Sequence, residues 1–474
     1  MIEFEHKVYL KQHTPILHFQ GEYAESGATL RATELKPKLD RYISANHTIK
    51  PGWRIGSTDA LNYKIKISNG EGYTAKCESL PMYFAEPKKK PTDESFSKKP
   101  IFARTKESED SMSESYSVCL HIFCLNEELY NLLKGINYSE FFIATTFGTR
   151  QSKGYGSFFP VKSNAPVFEP KTWLGKTITI DRSKLNNNEY ENVDYRVDSF
   201  FSLAGYANDW NNVMVHINDV YKCLRGGINE GGLYFKSLMF SYAKYAKTSN
   251  KPEGLFWDKR MIKELFYPKI IKDQYYGNKD KDEAQKRWTI HRMGKPIPLK
   301  SHPDSDALKP DTINQDPFLF RDYLGLSTVE TWKIPYNKTI TKKSNQVTRF
   351  KSPILFKPLF IDNKWFVFLL HRDIPKGFMN DNLIFRVSDA NIKYKGNLDT
   401  EAPYYSEYGD QRLYKMMKPY PNFSMTDYMN FVWGVHDYGR CFSISGNIAD
   451  AQKRKDRIVK DLNCIRDNYL PIKQ

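Results

Sequence analysis

Apolar and polar positions recur at two periods along this 474-residue chain, and each period marks its own kind of element. Val8 and Leu10 alternate ahead of Pro15, and Ile16, Leu17 and Phe19 follow, which predicts a strand over 7–19. After a loop from Gly21 to Gly27, Leu35, Leu39 and Ile43 recur every four residues and would share one helix face. Thr33 is the expected N-cap, and Pro37 is tolerable only in or near the first turn. Residues 61–67 alternate as Leu, Asn, Tyr, Lys, Ile, Lys, Ile, the pattern of a half-buried strand. Strand signal returns at 118–125, and Asn126-Glu127-Glu128 then caps a short helix through Leu132 and Leu133. Further strands are predicted at 140–147 and 158–162. Strand–helix–strand–strand–helix–strand is the order of a ferredoxin-like unit.

Residues 86–115 are different material. Pro87-Lys88-Lys89-Lys90-Pro91 opens a Ser-, Lys- and Glu-rich run with few apolar positions, read as a mobile insertion. From about 198 to 273 the pattern is helical, broken by Gly226-Gly227 and Gly231-Gly232, and 274–317 is polar and Pro-rich. Strands are expected at 353–361 and 364–370 around a turn at Asp362-Asn363, with later strands near 383–388 and 429–436. A closing helix over 448–468 carries Lys453, Arg454, Lys455 and Arg457. The fold class is therefore α+β. Two ferredoxin-like units are expected, 1–195 and a divergent 318–474, separated by a helical block and linker loops over 196–317.

Charge changes this picture. Lys and Arg number 71 against 55 acidic residues, a formal charge of +16. Such a balance favours a polyanionic partner, nucleic acid or an anionic membrane face, although plain solubilising surface would give the same count. The surplus is uneven: from Lys333 to Arg372 there are nine basic residues and one acidic residue, Asp362. Trp332, Tyr336, Phe350, Phe356, Phe360 and Trp365 lie among or beside them. Cations interleaved with rings suit RNA; a strand pair with an apolar inner face and a charged outer one would read alike. No run approaches the length of a membrane span, and Met1 to His6 lacks a secretion-signal pattern. The six cysteines form no CxxC pair, which argues against a zinc site or a disulfide framework and for reduced cytoplasmic thiols.

The sharpest local signal is Phe147-Gly148-Thr149-Arg150-Gln151-Ser152-Lys153-Gly154-Tyr155-Gly156-Ser157-Phe158. Its glycines let backbone approach a ligand, its amides could form an anion-binding concavity, and Arg150 and Lys153 supply charge. A tight connection between strands is the alternative. The loop lacks a Gly-Lys-Ser/Thr ending and opens no long helix, so it matches no nucleotide-binding fingerprint.

Placed before the last strand of the unit, this loop resembles the glycine-rich loop of RAMP-superfamily proteins, whose form is G-x-R-x-x-K/R-G-[YF]-G. Thr14-Pro15-Ile16-Leu17-His18, followed by the helix from Thr33 to Arg41, is similar to the opening segments of those proteins. Arg349 to Pro358 resembles the strand that opens the second half in several of them. The resemblance implies a guide-RNA-binding subunit of a type III (Cmr-type) CRISPR effector complex, near the 3′ end of the guide. CRISPR RNA and other RAMP-type subunits would be its partners, with no membrane and no cofactor. Carried over, the RNA contacts would be Arg31, Lys36, Lys38 and Arg41 around the first helix and Arg150, Lys153, Gly154, Tyr155 and Gly156 in the loop. Lys351 and Lys357 would add to them. Lys36, Lys38 and Arg41 would equally suit the solvated face of an amphipathic helix.

Some members of the superfamily cleave RNA. The target-cleaving subunits use an aspartate between the first strand and first helix, and Gly21 to Thr29 contains Glu22 and Glu25 but no aspartate. Asp40 lies farther on, where a salt bridge to a neighbouring base is expected. Repeat-processing members place a histidine near the first helix as general acid or base. His13, His18 and His47 are the candidates by position, and they define the alternative of a stand-alone, metal-independent repeat-processing endoribonuclease. Asp280, Asp282 and Glu283 are flanked by Lys279 and Lys281 and read as a solvated loop, so no metal is expected.

Overall fold

The computed structural model describes residues 4–18, 29–77, 101–105, 116–161, 168–186, 189–204, 209–245, 318–326, 329–332, 338–344, 347, 350–374, 385–389, 414–420, 423–446 and 448–472. The first part of the chain runs β1 (Glu5–Gln12), α1 (Ala32–Asn46), β2 (Lys64–Asn69), β3 (Tyr73–Cys77), β4 (Ile101–Thr105), β5 (Val118–Phe123), α2 (Glu127–Gly135), α3 (Tyr138–Ile143) and β6 (Phe158–Pro160). Four of these strands form an antiparallel sheet in the order β2-β5-β1-β6. Val8, Leu10, Leu120 and Ile122 alternate onto one face and meet Leu35, Leu39 and Ile43 of α1 in a shared core. Asn126 caps α2 as expected, its side chain accepting the Leu129 N–H at 2.9 Å.

Three expectations change here. Arg31, not Thr33, holds the N-cap position of α1, without a side-chain cap bond. The strand expected at 140–147 is instead helix α3, started by Asn137, whose side chain accepts the Glu140 N–H. Phe141, Phe142 and Ile143 are all buried, and an apolar run enclosed on every side has no period to separate helix from strand. Within the expected insertion, Ile101–Thr105 pairs antiparallel with Tyr73–Cys77; 86–100 and 106–115 lie outside the described residues.

The chain continues through β7 (Thr177–Asn186), β8 (Glu189–Leu203), α4 (Trp210–Arg225), β9 (Ile228–Glu230), β10 (Leu233–Phe235) and α5 (Leu238–Tyr245). Beyond residue 317 come β11 (Phe318–Leu319), β12 (Val329–Trp332), β13 (Lys338–Lys343), β14 (Ile354–Ile361), β15 (Lys364–His371), β16 (Phe385–Asp389), β17 (Tyr414–Pro419), α6 (Met425–Trp433), β18 (Phe442–Ile444) and α7 (Ile448–Asp467). Three sheets result, ordered β14-β15-β8-β7, β11-β17-β16-β13-β12 and β18-β10-β9. The expected hairpin forms at β14–β15, with Asp362 and Asn363 at φ 47° and 60° in its turn. The strand expected at 429–436 is largely α6, capped by Ser424, with Tyr428, Met429 and Val432 buried at helical spacing.

The β14-β15-β8-β7 sheet lies between two cores. Leu355, Leu359, Phe368, Leu370 and Phe200 pack with α1–α3, while Phe356, Phe360, Val367, Leu369 and Phe201 pack with α4, α6 and α7. Covered on both faces, β14 and β15 read as near-continuous apolar runs. Phe356, Phe360 and Trp365 are therefore core side chains and offer no ring to a base. β8 crosses residue 195, so this sheet joins the first part of the chain to the segment after 318.

Candidate nucleic-acid interface

The glycine-rich loop between α3 and β6 folds onto residues 13–17. Thr149 N–H donates to Leu17 O at 2.7 Å, and Gly156 N–H donates to Pro15 O at 2.8 Å. Ser157 N–H donates to Thr14 Oγ1 at 3.0 Å. Gly148 N–H donates to Glu34 Oε1 of α1 at 2.6 Å, so a carboxylate of the chain itself meets the loop's amides. Gly148, Gly154 and Gly156 have φ of 76°, 84° and 65°. A Cβ on Gly156 would stand 2.0 Å from Phe147 O, and one on Gly148 would stand 2.6 Å from Leu17 O. The close approach Gly148 and Gly156 permit is to the chain's own backbone, and Gly154 packs against the side chains of Ile217 and Pro358. Tyr155 is fully buried, edge-on to Trp210 at 6.2 Å, and is closed to base stacking. Gly154, Tyr155 and Gly156 thus build the loop.

The cations around the loop are arranged differently. Lys38, Arg41, Lys351 and Arg372 converge on a cleft of about 200 Å³, bordered by Thr145, Gln151 and Asp181. Lys38 Nζ donates to Thr146 O at 2.8 Å, sits 3.3 Å from Glu34 Oε1 and stands 4.7 Å over the Phe147 ring. Its partial removal from water lowers its pKa, against the pull of Glu34. Arg41 lies 3.6 Å from Asp181. Lys351 donates to Gln151 Oε1 at 3.0 Å. Confinement of its ammonium, followed by repulsion from Lys38, Arg372 and Arg41, pulls its pKa down to about 7. The side chain keeps solvent exposure, so water screens part of that repulsion. Arg372 Nε is buried and has no hydrogen-bond partner among the described residues.

Arg150 and Lys153 lie just beyond Gln151. Lys153 stands 4.7 Å over Tyr221 of α4. Loss of water, then Arg150, Arg225 and Lys222, brings its pKa down to about 8. Arg225 had no local signature marking it as a site residue, and Arg372 was marked only as the end of the basic stretch from Lys333; the fold brings both to the loop. The remaining candidates separate from this group. Arg31 is exposed at the head of α1. Lys36 turns to the other flank, bonding Asp40 at 2.7 Å and Leu61 O at 2.9 Å, 4.3 Å over Tyr63. Lys357 is fully buried and donates to Thr145 O and Phe158 O, both at 2.9 Å. Burial holds its pKa well below the ordinary lysine value. It ties β14 to β6 and cannot reach a phosphate.

The three histidines do not form a site. His13 is buried, its Nδ1 accepting the Phe360 N–H at 2.8 Å, and burial lowers its pKa well below the usual value. His18 is buried 2.9 Å from Thr29 O, and its pKa is lowered chiefly by desolvation. His47 is exposed past the C-terminus of α1. The basic face of α7 is partly turned inward: Arg454 and Arg457 bind Asp219 at 2.6 and 2.5 Å, and Arg454 also binds Glu230 at 2.8 Å. Among the described residues no helix is long and apolar enough to cross a membrane.

Fold and cleft together define an α+β protein with converging cations in a surface groove. Two family models match it: the Cmr1 N-terminal domain over residues 3–228 and the Cmr1 C-terminal domain over residues 234–437. The chain belongs to the Cmr1 family, RAMP subunits of type III, Cmr-type CRISPR complexes. No curated protein and no solved structure matches it.

Proposed function

We propose that the chain is a non-catalytic guide-RNA-binding subunit, near the 3′ end of the guide, that holds RNA phosphates in the cleft of Lys38, Arg41, Lys351 and Arg372. The observation that carries this reading is charge without enough counter-charge. Four cations share the cleft against two carboxylates among the described residues, Asp181 bordering it beside Arg41 and Glu34 beside Lys38, and Arg372 Nε has no hydrogen-bond acceptor among them. A phosphate would balance the surplus positive charge and favour the ammonium form of Lys351. Arg150 and Lys153 extend the track along the loop, while Arg31, exposed at the head of α1, would be a separate contact. Burial of His13 and His18 in the core supports a binding role over repeat cleavage.

The same reading treats β1-α1-β2-β5-α2-β6 as a ferredoxin-like unit with the β3–β4 hairpin inserted; the strand order β2-β5-β1-β6 supports it. Residues 318–474 would supply the divergent second unit. Partner RAMP-type subunits and a cytoplasmic location follow from the family. The test is RNA binding by Lys38→Gln with Lys351→Gln across a salt series. The log–log slope should fall by about 0.7 for each phosphate no longer neutralised, and Arg150→Ala with Lys153→Ala should act alike. Unchanged slopes in both variants would refute the cleft assignment.

A further inference from the structure

The outer face of the first sheet carries a separate set of cations and rings. Residues directly opposite one another in β2, β5 and β1 form three rows: Lys64, Phe123 and Glu5; Lys66, His121 and Lys7; Ser68, Cys119 and Tyr9. Val8, Leu10, Leu120 and Ile122 alternate onto the buried face, so these rows face outward. Tyr9 and Phe123 are each 40% exposed, and Lys7, Lys64 and Lys66 are exposed. Each exposed ring has an aromatic neighbour. Tyr116 lies 4.5 Å from Tyr9, and His121 stacks on Phe123 at 6.5 Å and 10°. The face's acidic residue, Glu5, is already engaged, 2.6 Å from His121 Nδ1 and 3.7 Å from Lys7.

A single exposed ring on a solvated sheet face needs no explanation. Here two rings flank a lysine-bearing row, separated by about 13 Å along the strands at 3.3–3.4 Å per residue. Rings that offer π-faces beside cations that meet phosphate are the elements of a single-strand platform. A subunit interface would be expected to be depleted in lysine at its centre, where the middle row of this face has two, Lys7 and Lys66. We propose that this face is a second binding surface for single-stranded RNA, with bases stacking on Tyr9 and Phe123 and phosphates held by Lys7, Lys64 and Lys66. The proposal rests on the RNA-binding reading above but uses none of the cleft's residues.

The experiment is binding of a labelled, unstructured oligouridylate to the full chain over a salt series. Tyr9→Ser with Phe123→Ser should weaken binding at least about 5-fold per ring while leaving the salt slope unchanged. Lys7→Gln, Lys64→Gln and Lys66→Gln should each lower the slope by about 0.7. Tyr9→Phe with Phe123→Tyr keeps the rings and should bind like the parent, which separates stacking from a folding defect. If the face variants bind like the parent while the cleft variant Lys38→Gln with Lys351→Gln binds weakly, this proposal fails and the cleft reading stands. If neither set weakens binding, both fail. If the face variants bind RNA normally but no longer co-purify with the multi-subunit complex, the face is a protein interface and the proposal is overturned.

Discussion

Gly156→Ala tests whether the loop's glycines serve self-packing. At φ 65° an alanine incurs roughly 1–2 kcal/mol from its Cβ against the following carbonyl. Its Cβ would also sit 2.0 Å from Phe147 O and 2.7 Å from Phe147 C, so backbone must move. The movement endangers two hydrogen bonds, Phe147 N–H to Gly156 O at 3.0 Å and Gly156 N–H to Pro15 O at 2.8 Å. At about 0.5–1.5 kcal/mol each, the total comes to about 2–5 kcal/mol. Gly72→Ala is the control: its φ is 76°, but nothing lies within 4 Å of the added Cβ, so only the conformational cost remains. Urea unfolding followed by tryptophan fluorescence should separate the two variants by about 2 kcal/mol. If Gly156→Ala costs no more than Gly72→Ala, the loop does not use its glycine for close packing, and an approach to ligand becomes the better account.

Two further outcomes follow from the electrostatics. With Lys351 pulled down to about 7, RNA should bind more tightly as pH falls through that value, because above it a proton must be taken up to form the ion pair. Lys351→Arg, charged throughout, should flatten the profile between about pH 6 and 8; an equally steep profile would remove Lys351 from the interface. Asp219→Asn removes the carboxylate that Arg454 and Arg457 share, leaving Arg454 with Glu230, and should cost about 2–3 kcal/mol, less than a fully enclosed pair because both arginines are about a quarter exposed. Faster amide exchange along α7 is the expected sign, and unchanged exchange would show that the ions do not dock that helix.

Local chemistry was legible; enclosure was not. The apolar stripe of α1, the Asn126 cap, the Asp362-Asn363 turn and α7 each follow from a few adjacent residues, and each formed nearly where expected. Phe141 to Ile143 misled because a segment buried all round shows no period, and the strand reading of 429–436 missed the helical spacing of Tyr428, Met429 and Val432. Phe356, one of the rings of the basic stretch, and Lys357, an expected RNA contact, misled because nothing nearby reveals that β14 is covered on both sides. At the candidate site, Lys38, Arg41 and Lys351 were legible as charges. Their meeting with Arg372 depends on strands far apart in sequence.

The shared middle sheet has a consequence for synthesis. β8 pairs along Trp365 to His371, residues made well over a hundred positions later. Until those residues leave the ribosome, β8 has an unpaired edge and the first core lacks Leu355, Leu359 and Phe368 from its wall. The two segments matched by the family models therefore do not correspond to separable folding units. A fragment stopping near residue 228 would carry an open, apolar strand edge and tend to aggregate, and its cure would be the missing β14–β15 hairpin rather than a chaperone.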